Sequence, residues 1–536
     1  MRAILAVCGL LLPVAQTNAS GGELIAEQAA YDVEHYTLAL RVDPRRRRID
    51  GSLVMRARVV APTQQLALDL DDRLEVGAVW RGDVEVPFEH RDGRIWIDAP
   101  IEAAGETVAV KVDYGGVPRV APRPPWDGGF TWEKTRAGQP WIATSCQGEG
   151  ADLWWPCKDH PSDKADTMDL EITVPKGLVC AANGTLQEER PHDDGTHTYC
   201  WHIANPINNY CVALNIAPYR VLERSYESVA GDAVPVYFWV LPENLGKGRK
   251  ILPQFLDHLR HLEEVCGPYP FRNEKYGIVE TPHLGMEHQT IIAYGNKFRR
   301  GPFNYDWLHH HELAHEWWAN LVTCRDWKDM WLHEGFATYM QALYVERSHG
   351  AKGYRTFMAG KRRGLRNRRA VAPREVRDSK QIYFGADGGH DNDIYDKGAA
   401  ILHTLRWVLG EDTFFKVLRR FAYPEEALEQ VTNGSQVRFA DTEDFRAVAE
   451  AISGQDLEWF FAVYLRQPDL PMLEVEQVGR ELRLAWRAPR DLPFPMPVAI
   501  RQGRQLERVD MPDGKAVVRL RSKKFEVDPD DWVLRR

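Results

Sequence analysis

Two histidines stand four residues apart, with a glutamate directly after the first: His311-Glu312-Leu313-Ala314-His315. On a helix, positions i and i+4 project from one face a turn apart, so both imidazoles can reach a single zinc ion. Glu312 points off that face. It is no main ligand, but it stands beside the metal as a proton acceptor. Catalytic zinc takes three protein ligands and keeps one position open. Glu334 offers the third ligand. Phe336, Tyr339, Met340 and Leu343 recur at helical spacing, so Glu334 opens a second helix that packs against the first. Eighteen residues lie between His315 and Glu334 (334 − 315 − 1), enough for a loop and a return. The expected metal set is His311, His315 and Glu334 around one Zn2+ per chain. His309, His310 and His333 have a different helix phase and are read as surface or supporting residues.

The run from His311 to Thr323, with Met330-Trp331-Leu332-His333-Glu334-Gly335-Phe336-Ala337-Thr338-Tyr339 after it, resembles the aminopeptidase N type of zinc peptidases, the gluzincin group that includes the leukotriene hydrolase. The likeness extends over nearly all of the chain beyond its N-terminal segment. The family's Gly-x-Met-Glu-Asn reads Leu284-Gly285-Met286-Glu287-His288 here; the glutamate is kept and the two end positions differ. The resemblance implies that Gly285, Met286 and Glu287 bind substrate. An extended peptide pairs with the strand edge, and Glu287 holds its free α-ammonium by charge-assisted hydrogen bonds. Leu284 and His288 bear on the strand's geometry and on side-chain preference. The stretch from Gln147 to Pro161 is similar to the family's long loop ending in Pro-Cys, and Gln147 matches the glutamine that serves the substrate's amino end. The arginine usual in that loop is replaced near Asp152 or Leu153. Tyr395, in Ile394-Tyr395-Asp396-Lys397-Gly398, resembles the tyrosine that donates to the oxyanion formed when water attacks a peptide carbonyl.

These residues need a scaffold, and the hydrophobic periodicity describes one. From Tyr31 to about Arg220, apolar and polar residues alternate, as in Tyr36, Leu38, Leu40 and Val42, then Ile49, Leu53, Met55, Ala57 and Val59, then Val108, Val110 and Val112. Turn pairs Asp92-Gly93 and Asn183-Gly184 separate such runs. From about Val221 to Gln467 helical spacing dominates, with one helix expected over 306–322. A strand hairpin (Tyr276–Glu280, then Leu284–Ile292) interrupts it. Alternation returns from Pro468 to Arg536 in Leu482, Leu484 and Trp486, then Val517, Val518 and Leu520. The expected architecture is α+β and multidomain: an N-terminal all-β domain (20–220), a thermolysin-like zinc catalytic domain (221–467) and a small C-terminal β-sandwich (468–536), without the further helical domain of the family's longest members.

The chain has 536 residues and a net charge of −9, ample for several cores. The acidic balance argues against nucleic acid, which wants a basic face. The basic runs Arg45–Arg48 and Lys361–Arg369 read as solvated surface. Met1-Arg2, an apolar run from Ala3 to Ala15 and small residues at Thr17 and Ala19 describe a signal peptide (1–19), cut after Ala19. That run is too short to span a bilayer, and no other apolar stretch reaches such a length. The expected location is outside the cytoplasm, in the periplasm or the medium. Seven cysteines follow, with Cys180, Cys200 and Cys211 the first candidates for pairing.

The leading expectation is an exported zinc aminopeptidase acting on peptides with a free N-terminus, with Glu312 as general base and Tyr395 as oxyanion donor. The alternatives are a zinc endopeptidase with an open cleft, if the missing helical domain opens it and Glu287 faces away, and a non-catalytic peptide-binding protein. The preferred N-terminal residue and the oligomeric state stay open.

Overall fold

The structure is a computed structural model; it describes residues 19–384, 390–522 and 524–536. The segment read as a signal peptide, up to Asn18, lies outside the described residues. No helix among the described residues is long and apolar enough to cross a membrane.

The N-terminal half is built of strands. An eight-stranded sheet runs in the order 185–191, 196–203, 167–175, 31–43, 48–59, 107–116, 74–81, 84–85. Within it, Tyr31–Asp43 and Thr167–Pro175 are parallel, while the central pair, Tyr31–Asp43 and Arg48–Val59, is antiparallel with a register shift between Val33 and His35. That shift explains a phase change in the burial. Tyr31 and Val33 point inward at odd positions, whereas Tyr36, Leu38, Leu40 and Val42 do so at even ones. An inserted residue flips every later side chain to the other face. The Asp92-Gly93 pair closes the hairpin from Phe88–Arg91 to Arg94–Ile101, both residues having positive φ (55° and 72°), as a type I′ turn requires.

The segment expected to turn helical at Val221 starts with strands instead. Arg220–Glu227 and Ala233–Val240 pair antiparallel, and the second runs parallel to Tyr276–Glu280. Val234, Val236 and Phe238 are buried at every second position, a strand pattern that the helical spacing further along the span outweighed. The expected hairpin is also corrected. Tyr276–Glu280 does not pair with Gly285–Met286; both flank Ile292–Tyr294, the former parallel and the latter antiparallel. Gly285–Met286 is thus the sheet's edge, facing the helices.

Five helices position the site: α1 (Leu245–Cys266), α2 (Trp307–Ala314), α3 (Trp331–Arg363, kinked at Gly350), α4 (Ser379–Tyr383) and α5 (Asp393–Leu409). Helices α3 and α5 meet at their backbones. A Cβ on Gly335 would lie 2.9 Å from Gly398 Cα, and one on Gly398 would lie 2.8 Å from Gly335 Cα. Beyond Tyr464 the described residues form two three-stranded sheets, 472–478 with 481–487 and 515–519, and 498–502 with 505–509 and 525–527. Leu482, Leu484, Trp486, Val518 and Leu520 face inward, but Val517 is exposed.

The seven described cysteines are all free thiols; the expected pairing among Cys180, Cys200 and Cys211 is not made. Cys180 and Cys200 lie on strands of different sheets. Cys211 is buried in a short turn, where its thiol donates to Asn320 Oδ1 at 3.3 Å.

Candidate active site

Helix α2 is shorter than its apolar pattern suggested. Asp306 caps it, accepting from His309 N at 3.2 Å, and α-geometry stops at Ala314. The next turn, Glu316–Leu321, is wide, with Trp318 and Ala319 outside helical φ/ψ. The expected single helix over 306–322 is therefore broken, and the break serves the metal site. It brings the Trp318 carbonyl to 2.9 Å from His315 Nδ1. A proton held on Nδ1 by that carbonyl leaves Nε2 bare for a metal.

His311 Nε2 and His315 Nε2 are 3.3 Å apart, and Glu334 Oε2 lies 3.3 Å from the first and 3.4 Å from the second. Ligands at ~2.0–2.1 Å around a tetrahedral ion stand about 3.3–3.4 Å apart. The triangle has the size that zinc requires. Glu334 Oε2 is buried and has no hydrogen-bond partner in the protein, whereas Oε1 accepts from Tyr383 OH at 2.9 Å. These two imidazoles and one carboxylate thus suit zinc in number, type and spacing.

Glu312 is buried beside this triangle, and its carboxylate falls within 4.8 Å of ligand atoms of Glu287 and His315. Burial pushes its pKa well above the usual carboxylate range, and the charge of Glu287 adds to the rise. A carboxyl so raised can both take and return a proton. Gly285 makes room for it: a Cβ there would meet Glu312 Oε1 at 2.4 Å and Leu308 Cδ1 at 2.7 Å.

Glu287, on the loop leaving the sheet edge, faces the same cleft. Its Oε1 accepts from the Gln147 amide and from Tyr210 OH at 2.9 Å. Its backbone carbonyl accepts from Asn320 Nδ2 at 3.1 Å. Gln147, Gly285, Met286, Glu287 and Tyr395 line one cavity of about 350 Å3 with the metal triangle and Glu312, so all nine residues singled out in the sequence come together. Tyr395 stands on the first turn of α5, its ring stacked 6.1 Å from that of His311. Burial, with the Glu334 charge beside it, holds its phenol well above the ordinary value, so it remains a donor. His288 is buried, outside the cavity lining, and neither ring nitrogen has a partner.

Three histidines read as surface or supporting residues are buried. His309 stacks on Phe255 at 3.6 Å and bonds His258 Nδ1 at 2.9 Å. His333 Nε2 accepts from Cys324 N at 3.0 Å, and His310 lies among His258, His261 and Tyr344. None of the three is surface; they brace α2 and α3 from behind. The basic run is not merely solvated either. Lys361 lines the cavity and pairs with Asp396 at 2.9 Å.

The periodicity missed Tyr383 and Tyr210. A signal for the first was present: Asp378-Ser379-Lys380-Gln381 is a capping box, and it forms, with Asp378 Oδ1 accepting from Gln381 N at 2.7 Å. That pattern finds α4 but not the role of its last residue. Tyr210, in a three-residue turn, carries no local signal.

Two family models match the chain: the Peptidase M1 N-terminal domain over residues 32–211 and the Peptidase family M1 domain over residues 303–464. A rice (Oryza sativa subsp. japonica) protein, aminopeptidase M1-B, is 28% identical over 485 residues, covering 84% of this chain and 51% of the relative. A leucyl aminopeptidase of Saccharolobus solfataricus is 23% identical over 365 residues, covering 64% of this chain and 43% of the relative. The chain thus spans about half the length of the curated relatives it matches. The crystal structure of an M1 zinc metallopeptidase from Deinococcus radiodurans has the same fold, with a TM-score of 0.66 at 24% identity over 86% of this chain and 97% of that one. With both domain models matched in order, and the metal triad inside the second, the chain belongs to the M1 peptidase family.

Proposed function

We propose that this protein is a zinc aminopeptidase that releases N-terminal residues from peptides. The observation that carries this reading is the position of Glu287. Its carboxylate lies within 4.8 Å of ligand atoms of Glu312 and His315, and one extended residue spans at most ~3.6 Å. An α-ammonium held there leaves room for a single residue before the bond over the metal. The endopeptidase alternative needed Glu287 turned away from the cleft, and the carboxylate faces it.

A zinc ion held by His311, His315 and Glu334 supplies Lewis-acid activation of water and of the scissile carbonyl when bound. Glu312 takes a proton from the attacking water as the oxygen–carbon bond forms, and passes it to the nitrogen as the carbon–nitrogen bond breaks. Tyr395 OH donates to the carbonyl oxygen as charge gathers there. Glu287, with Gln147 and Tyr210 fixing one of its oxygens, holds the ammonium group.

We propose also that the protein is exported, a reading supported by the charged, apolar and small-residue pattern of Met1 to Ala19. A panel of aminoacyl chromogenic substrates, each with an N-acetylated twin, tests the activity with and without a zinc chelator. Free-amine substrates should turn over and chelation should stop them. Equal rates on the acetylated twins would overturn the exopeptidase reading.

A further inference from the structure

We propose that Tyr383 is a positioning residue that holds Glu334 as a one-oxygen ligand and so keeps the metal's fourth position open. This rests on the zinc reading above. The two oxygens of Glu334 are sharply divided. Oε2 faces the two imidazole nitrogens at 3.3 and 3.4 Å and has no other partner. Oε1 accepts from Tyr383 OH at 2.9 Å. A carboxylate with both oxygens free can swing to bind through both and fill the site that water needs, since a catalytic zinc centre keeps one position open. A hydroxyl donor on one oxygen opposes that swing. Partners behind the ligands commonly govern affinity in this way.

Tyr383 is itself held in place with unusual care. It ends α4, and the Arg369 guanidinium fastens that end, donating to the carbonyls of Gln381 and Ile382 and to that of Phe384 at 2.8 Å. Arg369 Nε also lies 3.3 Å from Asp391 Oδ2. Asp391 N in turn donates to the Tyr383 carbonyl at 2.9 Å, and Asp391 Oδ1 accepts from Asp393 N at 3.0 Å, where α5 begins. One arginine therefore ties the segment bearing Tyr383 to the helix bearing Tyr395. The basic run Lys361–Arg369 thus contains a clamp as well as a surface. A planar five-donor fork can serve several carbonyls and a carboxylate at once; a lysine cannot.

The test uses the full chain, zinc-loaded and then cobalt-substituted, and reads metal affinity by chelator competition. Tyr383→Phe keeps the ring and loses the hydroxyl. It should raise the zinc dissociation constant by about 10–100-fold. Its cobalt form should lose visible absorption, as a two-oxygen Glu334 moves the ion from four towards five ligands. Arg369→Lys should weaken zinc in the same direction by loosening Tyr383 without replacing any cavity side chain, and it supplies the same reading if Tyr383→Phe loses its cooperative unfolding. Zinc affinity within threefold of wild type in the folded variants, with an unaltered cobalt spectrum, overturns the proposal. A wild-type chain that takes up no zinc defeats the underlying metal reading instead, so the two failures are distinguishable.

Discussion

The side-chain amide of Gln147, on a loop of the β-domain, donates to the carboxylate of Glu287 beside the catalytic sheet, 140 residues further along the chain. The corner proposed to bind the substrate's amine is thus assembled from both halves of the molecule. Glu287→Ala should lower kcat/KM on free-amine substrates by about 10–150-fold, the worth of ~1.5–3 kcal/mol for hydrogen bonds to a charge, and should erase the preference over acetylated peptides. Gln147→Ala removes a supporting donor and should cost less, about 2–10-fold. A preference that survives Glu287→Ala would place the ammonium elsewhere.

Glu312→Gln keeps the shape of the side chain and removes the proton acceptor. Zinc content should stay at one per chain while turnover falls by at least ~10²–10⁴-fold. Metal analysis and single-turnover rates check this together; full activity in the variant refutes the base assignment.

Tyr395→Phe should reduce kcat by about 10²–10³-fold with little change in KM, because the hydroxyl is needed where charge develops and not where substrate docks. Steady-state kinetics on one aminoacyl substrate decide it. A pure KM effect would make Tyr395 a binding residue.

Gly285 is small for a steric reason, since a Cβ would stand 2.4 Å from Glu312 Oε1. Gly285→Val should displace the base and cut kcat strongly while the zinc stoichiometry holds, and should lower the unfolding temperature, since overpacking a buried site costs about 1–3 kcal/mol. Activity near that of wild type would show that the strand edge can retreat.

The loop carrying Gln147 has its own pH dependence. Gly150 sits between two carboxyls: a Cβ there would lie 2.3 Å from Asp159 Oδ2 and 2.4 Å from Asp152 Oδ1. Burial, helped by the Asp69 charge, pushes Asp159 up to about 7. Burial and the neighbouring Asp159, Asp69 and Asp71 drive Asp152 upward too. Both folded values exceed the unfolded value of ~3.9, so the folded state holds these protons more tightly. Their contribution to stability is present at low pH and is lost as pH rises above about 4, for Asp159 through about 7. Asp152→Asn should therefore raise the unfolding temperature more at pH 8 than at pH 5. A shift equal at both pH values would show that the pair does not share this burden.

The candidate metal triangle was legible because His311 and His315 stand four residues apart and Glu334 lies in the first turn of the next helix, and the strand-rich N-terminal half because Leu38, Leu53 and Val110 alternate inward. Other parts were hidden for physical reasons. Val234, Val236 and Phe238 keep the period-2 burial of a strand, but they fall inside a span whose helical spacing further on set the reading of the whole. The wide turn at Trp318 departs from helical geometry in a run whose apolar pattern continues unbroken. His309, His310 and His333 were read as surface or supporting residues because their helix phase points away from the metal, and they prove buried, stacking and sharing hydrogen bonds in the core. Tyr383 reaches Glu334 through a fold in the chain that no local pattern announces. Cys180 and Cys200 lie on strands of different sheets, a separation that cysteine spacing does not disclose.

The bare-backbone crossing of α3 and α5 at Gly335 and Gly398 has a mechanical consequence. Glu334 adjoins one of those glycines and Tyr395 is a turn from the other, so the spacing between metal ligand and hydroxyl donor is set by a rigid joint. A side chain at either glycine would therefore wedge the two helices apart and lengthen the separation of Glu334 from Tyr395, leaving the β-domain loop untouched.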